Sequence, residues 1–134
     1  MIVAGRLQIP FRYAAGAAGS RFGSALRDGP RILAARCAVC GRVLCPPGPF
    51  CGQCGGAAGE GIEVGPGGLL VSWTELPGRG VFAMVHLDGA DGALVHRLLA
   101  DPAAMRCGER VRARFGAKRT GDVRDIEGFE SEPG

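Results

Sequence analysis

The sequence lacks the long apolar segments of membrane-spanning and secreted proteins. Its 134 residues contain no uninterrupted apolar run of about 18 residues, the least that a transmembrane helix requires. The apolar stretch at residues 1–11 contains Arg6 and is not followed by a small-residue cleavage site, so no secretory signal peptide is predicted. We expect a soluble, cytoplasmic protein.

Residues that commonly carry catalysis are scarce. The two histidines, His86 and His96, each lie in an apolar segment, where a structural role is more frequent than a catalytic one. None of the four serines stands in a Gly-X-Ser-X-Gly motif, and the acidic residues are not paired for acid–base chemistry. The short run Gly78-Arg79-Gly80 is expected to form a hairpin turn rather than a phosphate-binding loop. The sequence therefore predicts a non-catalytic protein.

Excess charge is also slight. The net charge is +3 and the isoelectric point is about 8.7. Domains dedicated to nucleic acids usually have an isoelectric point above about 9 and carry a clustered basic face. Glycine (24) and proline (9) are abundant, but leucine, valine, isoleucine and phenylalanine together supply 32 residues for a core. We expect a folded, loop-rich and mainly β protein.

Cysteine is too sparse for a disulfide scaffold but is strongly clustered. Five of the six cysteines lie within residues 37–54, where Cys37 and Cys40 form one Cys-X-X-Cys-Gly unit and Cys51 and Cys54 form another. Both thiolates of such a unit face one side of a turn, and the glycine after it permits a positive φ. Four thiolates fill a tetrahedral Zn²⁺ site and leave no position for a reactive water. We therefore predict a structural zinc ion bound by these four cysteines.

The sequence leaves the identity of the metal open, and it predicts separate roles for Cys45 and Cys107. A rubredoxin-like iron site would use the same four thiolates, so iron is the alternative metal. Cys45 precedes Pro46-Pro47 and is expected to be a small apolar residue beside the site. Cys107 is expected to be a buried free thiol.

The chain divides into three predicted units: an N-terminal arm with a short helix (1–30), a zinc ribbon (31–60) and an OB-fold domain (61–134). The helix is predicted at residues 20–27 with Ser20 as its N-cap. A helix of two turns is unstable alone, so Phe22 and Leu26 need a surface, either of this chain or of a partner. A strand is predicted at 31–36, and residues 57–68 are expected to be a glycine-rich linker.

The third unit has the pattern of a small β-barrel. Apolar runs separated by turn signals predict strands at 69–76, 81–87, 93–99, 110–115 and 122–129. Asp101-Pro102 marks a single helical turn between the third and fourth of these strands. The fourth strand alternates arginine with apolar residues, so one of its faces is expected to be exposed and basic. Three strands, a short helix and two strands are the order of an OB-fold, a five-stranded barrel.

The sequence resembles the zinc-ribbon OB-fold accessory proteins associated with acyl-CoA thiolases. The resemblance covers nearly the whole chain and is carried by residues 9–16, 22–29, 31–54, 71–74, 85–89, 94–98 and 107–111. It implies a rubredoxin-like zinc ribbon followed by an OB-fold. It also implies a non-catalytic subunit that assembles with a thiolase-fold enzyme acting on acyl-CoA and supports the activity or CoA-thioester handling of that enzyme.

The resemblance implies contacts with CoA and with a partner, and the sequence offers candidate residues for both. Guanidinium and ammonium groups form charge-assisted hydrogen bonds with phosphate, and the candidates for the CoA phosphates are Arg79, Arg97, Arg112 and Lys118. Because buried aromatic and apolar side chains anchor interfaces, the candidates for the partner interface are Phe22, Leu26 and Trp73.

Two other classes of function compete with an accessory subunit. An OB-fold that binds single-stranded nucleic acid needs aromatic side chains interleaved with basic ones, and Trp73, Phe82 and Phe115 are few for that purpose. An independent enzyme would have to use His86 or His96.

Overall fold

The computed structural model describes residues 1–133, so Gly134, the last residue of the expected barrel unit, lies outside it. One helix precedes eight strands: α1 (Gly16–Asp28), β1 (Ile32–Cys37), β2 (Val43–Leu44), β3 (Ala58–Val64), β4 (Gly67–Leu76), β5 (Gly80–Leu87), β6 (Leu94–Leu98), β7 (Arg110–Phe115) and β8 (Ile126–Ser131). Single turns of 3₁₀ helix lie at Pro102–Ala104 and Val123–Asp125. The mainly β class predicted from the sequence is confirmed.

The cysteine-rich segment forms a three-stranded antiparallel sheet in the order β2-β1-β3. Its register pairs Ala34 with Ile62 and Ile32 with Val64. Residues 58–64 are thus a strand, and the expectation of a glycine-rich linker there is wrong. The two glycines in β3 weaken its intrinsic strand signal, but pairing with β1 satisfies its backbone groups. The ribbon sheet runs to Val64, beyond the expected boundary at residue 60.

The remaining strands close into a barrel in the order β4-β5-β6-β8-β7. The seam between β6 and β8 is parallel and pairs Leu98 with Phe129. The predicted order of three strands, a short helix and two strands is confirmed, although the last strand begins at Ile126 because residues 123–125 form a 3₁₀ turn. Fully buried side chains fill the barrel: Leu70, Val85, Leu87, Val111, Ile126 and Phe129. Each contributes about 1.5–3 kcal/mol of burial free energy.

Helix α1 is longer than predicted and packs on this chain itself. It begins at Gly16 rather than at Ser20, and Ala15 precedes it without a side-chain cap. Phe22 is 8% exposed and Leu26 is 0% exposed, and both belong to the main core cluster. The surface that these two side chains need is therefore the chain's own core, which replaces the expected contact with a partner.

The ribbon and the barrel are tied together through Asp91, in the loop between β5 and β6. Its carboxylate accepts a hydrogen bond from the backbone N–H of Val43 (2.8 Å), and its own N–H donates to the Val43 carbonyl (2.8 Å). Arg42 also donates to the Asp91 carbonyl (2.9 Å). These bonds fix the edge strand β2 against the barrel.

Residues 1–15 precede α1 without regular secondary structure, and every one of them is exposed. These residues are the arm of the predicted N-terminal unit, and α1 follows them directly. In the part of the chain described here, no helix is both long enough and apolar enough to cross a membrane.

Candidate metal centre and barrel groove

Four cysteines converge at the tip of the ribbon. The Sγ atoms of Cys37, Cys40, Cys51 and Cys54 all lie within 4.8 Å of one another. The Sγ atoms of Cys37 and Cys54 are 3.5 Å apart, and those of Cys40 and Cys51 are 3.7 Å apart. A tetrahedral zinc ion with Zn–S bonds of about 2.3 Å holds its sulfurs about 3.8 Å apart, so the cluster has the dimensions of a four-thiolate metal site.

Two tight turns aim backbone N–H groups at these sulfurs. Val39 and Cys40 donate to Cys37 Sγ, each at 3.4 Å, and Gln53 donates to Cys51 Sγ at 3.4 Å. Each turn closes on a glycine of positive φ, Gly41 (+76°) in one and Gly55 (+74°) in the other. The glycine of each Cys-X-X-Cys-Gly unit therefore permits the positive φ predicted for it, because only glycine adopts this conformation without strain.

The surroundings shift the pKa values of Cys37 and Cys40 in opposite directions. The N–H groups of Cys40 and Val39 lower the pKa of the Cys37 thiol to about 6. The N–H of Arg42 lowers the pKa of Cys40, but desolvation and the neighbouring thiols outweigh it and raise that pKa to about 11. Four thiolates at this separation repel one another, so a bound cation is what allows all of them to ionise together. The donor set fits a soft or borderline divalent metal.

The other two cysteines lie outside the cluster. Cys45 is buried, as expected of a small apolar residue. Cys107 is exposed, so the expectation of a buried thiol is wrong: it lies in the turn between the 3₁₀ helix and β7 rather than in the core.

A shallow groove runs over the outside of β4, β5 and β6. It consists of two adjoining cavities of about 230 Å³ and 370 Å³, which share Phe82 and Val95. The smaller cavity is lined mainly by apolar and hydroxyl-bearing residues: Ser72, Trp73, Thr74, Ala83 and Met84. The larger one is lined by His96, Arg97 and Arg124. The groove is therefore apolar at one end and cationic at the other.

The cationic end is organised by contacts that the sequence does not display. The guanidinium of Arg97 lies over the Phe82 ring, 5.4 Å from its centroid, and donates to the Arg79 carbonyl at 3.4 Å. The carboxylate of Asp122 accepts from Arg124 at 2.9 Å and raises the pKa of that arginine. Arg124 was not among the sequence candidates, because nothing local links residue 124 to the strands that carry Phe82 and Arg97.

The histidines are engaged by the backbone. Burial lowers the pKa of His96, whose Nε2 lies 3.1 Å from the Val123 carbonyl while its Nδ1 accepts from the Arg97 N–H at 2.8 Å. This pattern fixes a neutral ring with its proton on Nε2. His86 Nε2 lies 2.6 Å from the Ala90 carbonyl.

The four CoA-phosphate candidates are not brought together. Arg97 lines the cationic end of the groove, and Arg79 meets it only through its backbone carbonyl. Arg112 pairs with Glu132 at 3.5 Å, and Lys118 is exposed in the loop after β7. Trp73, at 38% exposure, lines the apolar end of the groove.

The exposed basic face predicted for β7 is neutralised by acidic side chains. Arg110 bonds to Asp88 (2.8 Å) and Glu132 (3.1 Å), and Arg114 pairs with Glu127 at 2.9 Å. Such a face is exposed, as expected, but it carries little free positive charge for a polyanion.

Comparisons with known proteins give structural neighbours only. No protein-family model matches the chain, and no curated protein matches it. A chain of the Ltp2-ChsH2(DUF35) aldolase matches with a TM-score of 0.65 and 23% identity, covering 90% of this chain and 98% of that one. A DUF35-family protein of unknown function from Sulfolobus solfataricus matches with a TM-score of 0.62 and 16% identity, covering 87% of each chain. The chain thus has the fold of DUF35 proteins.

Proposed function

We propose that the chain is a non-catalytic, zinc-binding accessory subunit that assembles with a thiolase-fold enzyme acting on acyl-CoA. The observation that carries the proposal is the four-cysteine ribbon placed directly before a closed five-stranded barrel, in a chain whose fold is similar to that of a chain of the Ltp2-ChsH2(DUF35) aldolase. The name of that neighbour joins a DUF35 component to a second component in one enzyme, which supports the role of partner subunit here.

The metal in this proposal is zinc in a structural role. The four sulfurs fill a tetrahedron, so the ion has no open position at which to activate water or substrate. Its contribution is to hold the two turns, and the strands β1 and β3 that flank them, in one arrangement. Residues Cys37, Cys40, Cys51 and Cys54 are the proposed ligands.

The absence of catalytic machinery is supported by how the histidines are used. His86 and His96 both contact backbone carbonyls, and His96 is held in a single neutral form. Neither has a serine or cysteine nucleophile as a hydrogen-bond partner among residues 1–133. The proposal therefore assigns the chemistry to the partner.

The groove is the proposed site of CoA-thioester handling on this chain. Its apolar end at Trp73 suits the pantetheine or acyl portion. Arg97 and Arg124 at the other end provide charge-assisted donors for phosphate. Arg79, whose backbone carbonyl accepts from Arg97, is the adjoining candidate. Arg112 and Lys118 lie outside the groove and are the weaker candidates.

Co-expression of the tagged full chain with thiolase-fold enzymes of its own organism tests the proposal. We expect one of them to elute with the chain as a hetero-oligomer containing zinc, and its acyl-CoA turnover to rise at least about tenfold over the enzyme alone. If every such enzyme elutes separately and its turnover is unchanged by the chain, the proposal is wrong.

Matched arginine variants separate CoA handling from assembly. Arg97→Gln removes a groove cation and is expected to raise the KM for acyl-CoA in the complex several-fold. Arg114→Gln, which changes an arginine outside the groove that pairs with Glu127, is expected to leave the KM unchanged. Salt-sensitive binding of an unstructured oligothymidylate by the isolated chain, without any thiolase-fold partner, would instead favour single-stranded nucleic acid as the ligand.

A further inference from the structure

The arm at residues 1–15 concentrates apolar surface that this chain does not cover. Leu7, Ile9, Phe11 and Tyr13 are 86%, 66%, 76% and 77% exposed. No backbone hydrogen bond joins residues 1–13 to the rest of the described chain. Exposed side chains of this size are normal singly, but a contiguous set of them marks an interaction site.

The spacing of these side chains is that of a β-strand. Apolar residues recur at every second position from Leu7 to Tyr13. Gln8, Pro10 and Arg12 occupy the positions between them, and Arg6 precedes the run. In an extended backbone the apolar set falls on one side and the polar set on the other. A two-residue period with a central proline does not form the amphipathic helix that would lie on a membrane surface.

Pro10 determines which edge of this strand can pair. The N–H groups of Leu7, Ile9 and Phe11 point to one edge of an extended backbone, and position 10, which has no N–H, points to the other. The arm can therefore add to a sheet through its odd-numbered residues and leave Pro10 on the outer edge. It is suited to a single partner strand and ends the sheet there.

Charge selects the kind of surface that receives the arm. Residues 1–27 contain four arginines, at positions 6, 12, 21 and 27, and no acidic residue. A receiving groove must be apolar at its base and acidic at its rim. The open edge of β3 in a second copy is acidic, with Glu60 exposed, but Gly59 and Gly61 provide no apolar pockets for four large side chains.

The arm leaves a helix that packs beside the groove on the barrel. Helix α1 contacts the 3₁₀ turn at Val123–Asp125, and Arg124 in this turn lines the cationic end of the groove. Gly16, with a φ of +73°, sets the direction in which the arm leaves α1. A protein that holds the arm is thereby placed beside the groove.

We propose that residues 7–13 dock as an added β-strand on an open sheet edge of the enzyme partner, with Leu7, Ile9, Phe11 and Tyr13 in an apolar groove rimmed by acidic side chains. This proposal rests on the proposed function for the identity of the partner. It names the segment of this chain that holds the enzyme and the backbone edge through which it does so.

Paired variants of the full chain test both features of the strand, with the thiolase-fold enzyme isolated by co-expression as the probe. Phe11→Ala, on the apolar side, is expected to weaken the complex at least about tenfold, whereas Gln8→Ala, on the polar side, changes the dissociation constant less than about twofold. Ile9→Pro removes an N–H from the pairing edge and is expected to cause a similar loss, while Gln8→Pro removes one from the outer edge and is tolerated.

Folding does not confound these variants, because no backbone hydrogen bond links residues 1–13 to the rest of the described chain. Metal content and thermal midpoint are expected to match those of the unaltered chain. If the unaltered chain binds the enzyme and all four variants bind equally, the docking proposal alone fails; if the unaltered chain binds no such enzyme, the proposed function fails and the docking proposal with it. Loss of self-association of the free chain by light scattering, with the complex unaffected, would instead assign the arm to a second copy.

Discussion

At the residue scale, Asp125 is a buried carboxylate that organises a loop by accepting hydrogen bonds. It is 4% exposed and accepts from the backbone N–H groups of Thr120 (3.0 Å), Gly121 (2.7 Å) and Asp122 (3.3 Å). Burial raises the pKa of this carboxyl, but the three N–H donors outweigh burial and hold the pKa below its ordinary value. The loop that leads from β7 to β8 is built around this one charge.

Replacing Asp125 by asparagine is expected to destabilise the protein by about 1–3 kcal/mol at pH 7, because an amide NH₂ then faces backbone donors that are left unpaired. The folded-state pKa of Asp125 is lowered, so its stabilisation is complete above the ordinary aspartate pKa and is lost as the pH falls through the folded value. Urea unfolding of both proteins between pH 7 and pH 3 should therefore show the difference shrinking below about pH 4.

The control for this experiment is Asp101→Asn. Asp101 is exposed and caps a 3₁₀ turn by accepting from the Ala103 N–H at 3.0 Å. Asparagine caps a helix as well as aspartate does, so a small change independent of pH is expected. An Asp125→Asn protein as stable as the original at pH 7 would contradict the role given to this carboxylate.

At the element scale, the ribbon has a small core, so we expect its stability to depend mainly on the proposed metal. Its three strands contribute few large buried side chains, chiefly Ile32, Val43 and Val64. The two turns that hold the cysteines are built from backbone hydrogen bonds and N–H···Sγ bonds, and exposed side chains such as Val39 and Phe50 surround them. Without a cross-link, a sheet of this size is marginal.

We expect Cys37→Ser combined with Cys54→Ser to lower the bound zinc from about one ion per chain to near zero and to unfold the ribbon. Plasma mass spectrometry gives the metal content, and amide hydrogen exchange of β1 and β3 reports the fold. Cys107→Ser, which changes an exposed thiol outside the site, should retain both. A double variant with a protected ribbon would show that the metal is dispensable.

The elements also show which parts of the fold could be read from the sequence. Strands bounded by turn residues, such as β5, and the spacing of the four cysteines were predicted because their signals are local. Strand β3 was missed because its glycines give a weak local strand signal and its partner β1 lies 21 to 32 residues away in the register, from Cys37 with Ala58 to Ile32 with Val64. The neutral face of β7 was missed because it depends on which acidic residues β8 places opposite its arginines.

At the scale of the whole molecule, α1 joins the ribbon to the barrel. It contacts β1 on one side and the 3₁₀ turn at Val123–Asp125 on the other. Its closest approach to the barrel loop is at Gly23, where an added Cβ would lie 2.5 Å from the Gly121 carbonyl oxygen. Only glycine allows the helix and this loop to meet so closely.

Gly23→Ala is therefore expected to lower the free energy of unfolding by about 1–3 kcal/mol, because the backbone of either the helix or the loop must move. Gly19→Ala is the matched control: its Cβ would meet only Ala15 Cβ at 3.4 Å, and the better helix propensity of alanine should add about 0.5–1 kcal/mol. Thermal unfolding of both variants measures the difference. Equal stabilisation by the two substitutions would rule out the close contact.

Because ion pairs along β7 and β8 neutralise the charges there, the uneven distribution of net charge along the chain decides how the molecule approaches others in solution. Residues 1–31 hold five basic residues and one acidic residue, a net of +4, against +3 for the whole chain, so residues 32–134 together carry −1. Although the net charge of the whole chain is small, its charges are separated, and the molecule has an electric dipole with its positive end at the arm and α1. A protein with an acidic surface would tend to turn this molecule arm-first before touching it, and dissolved salt would slow that encounter without loosening the barrel.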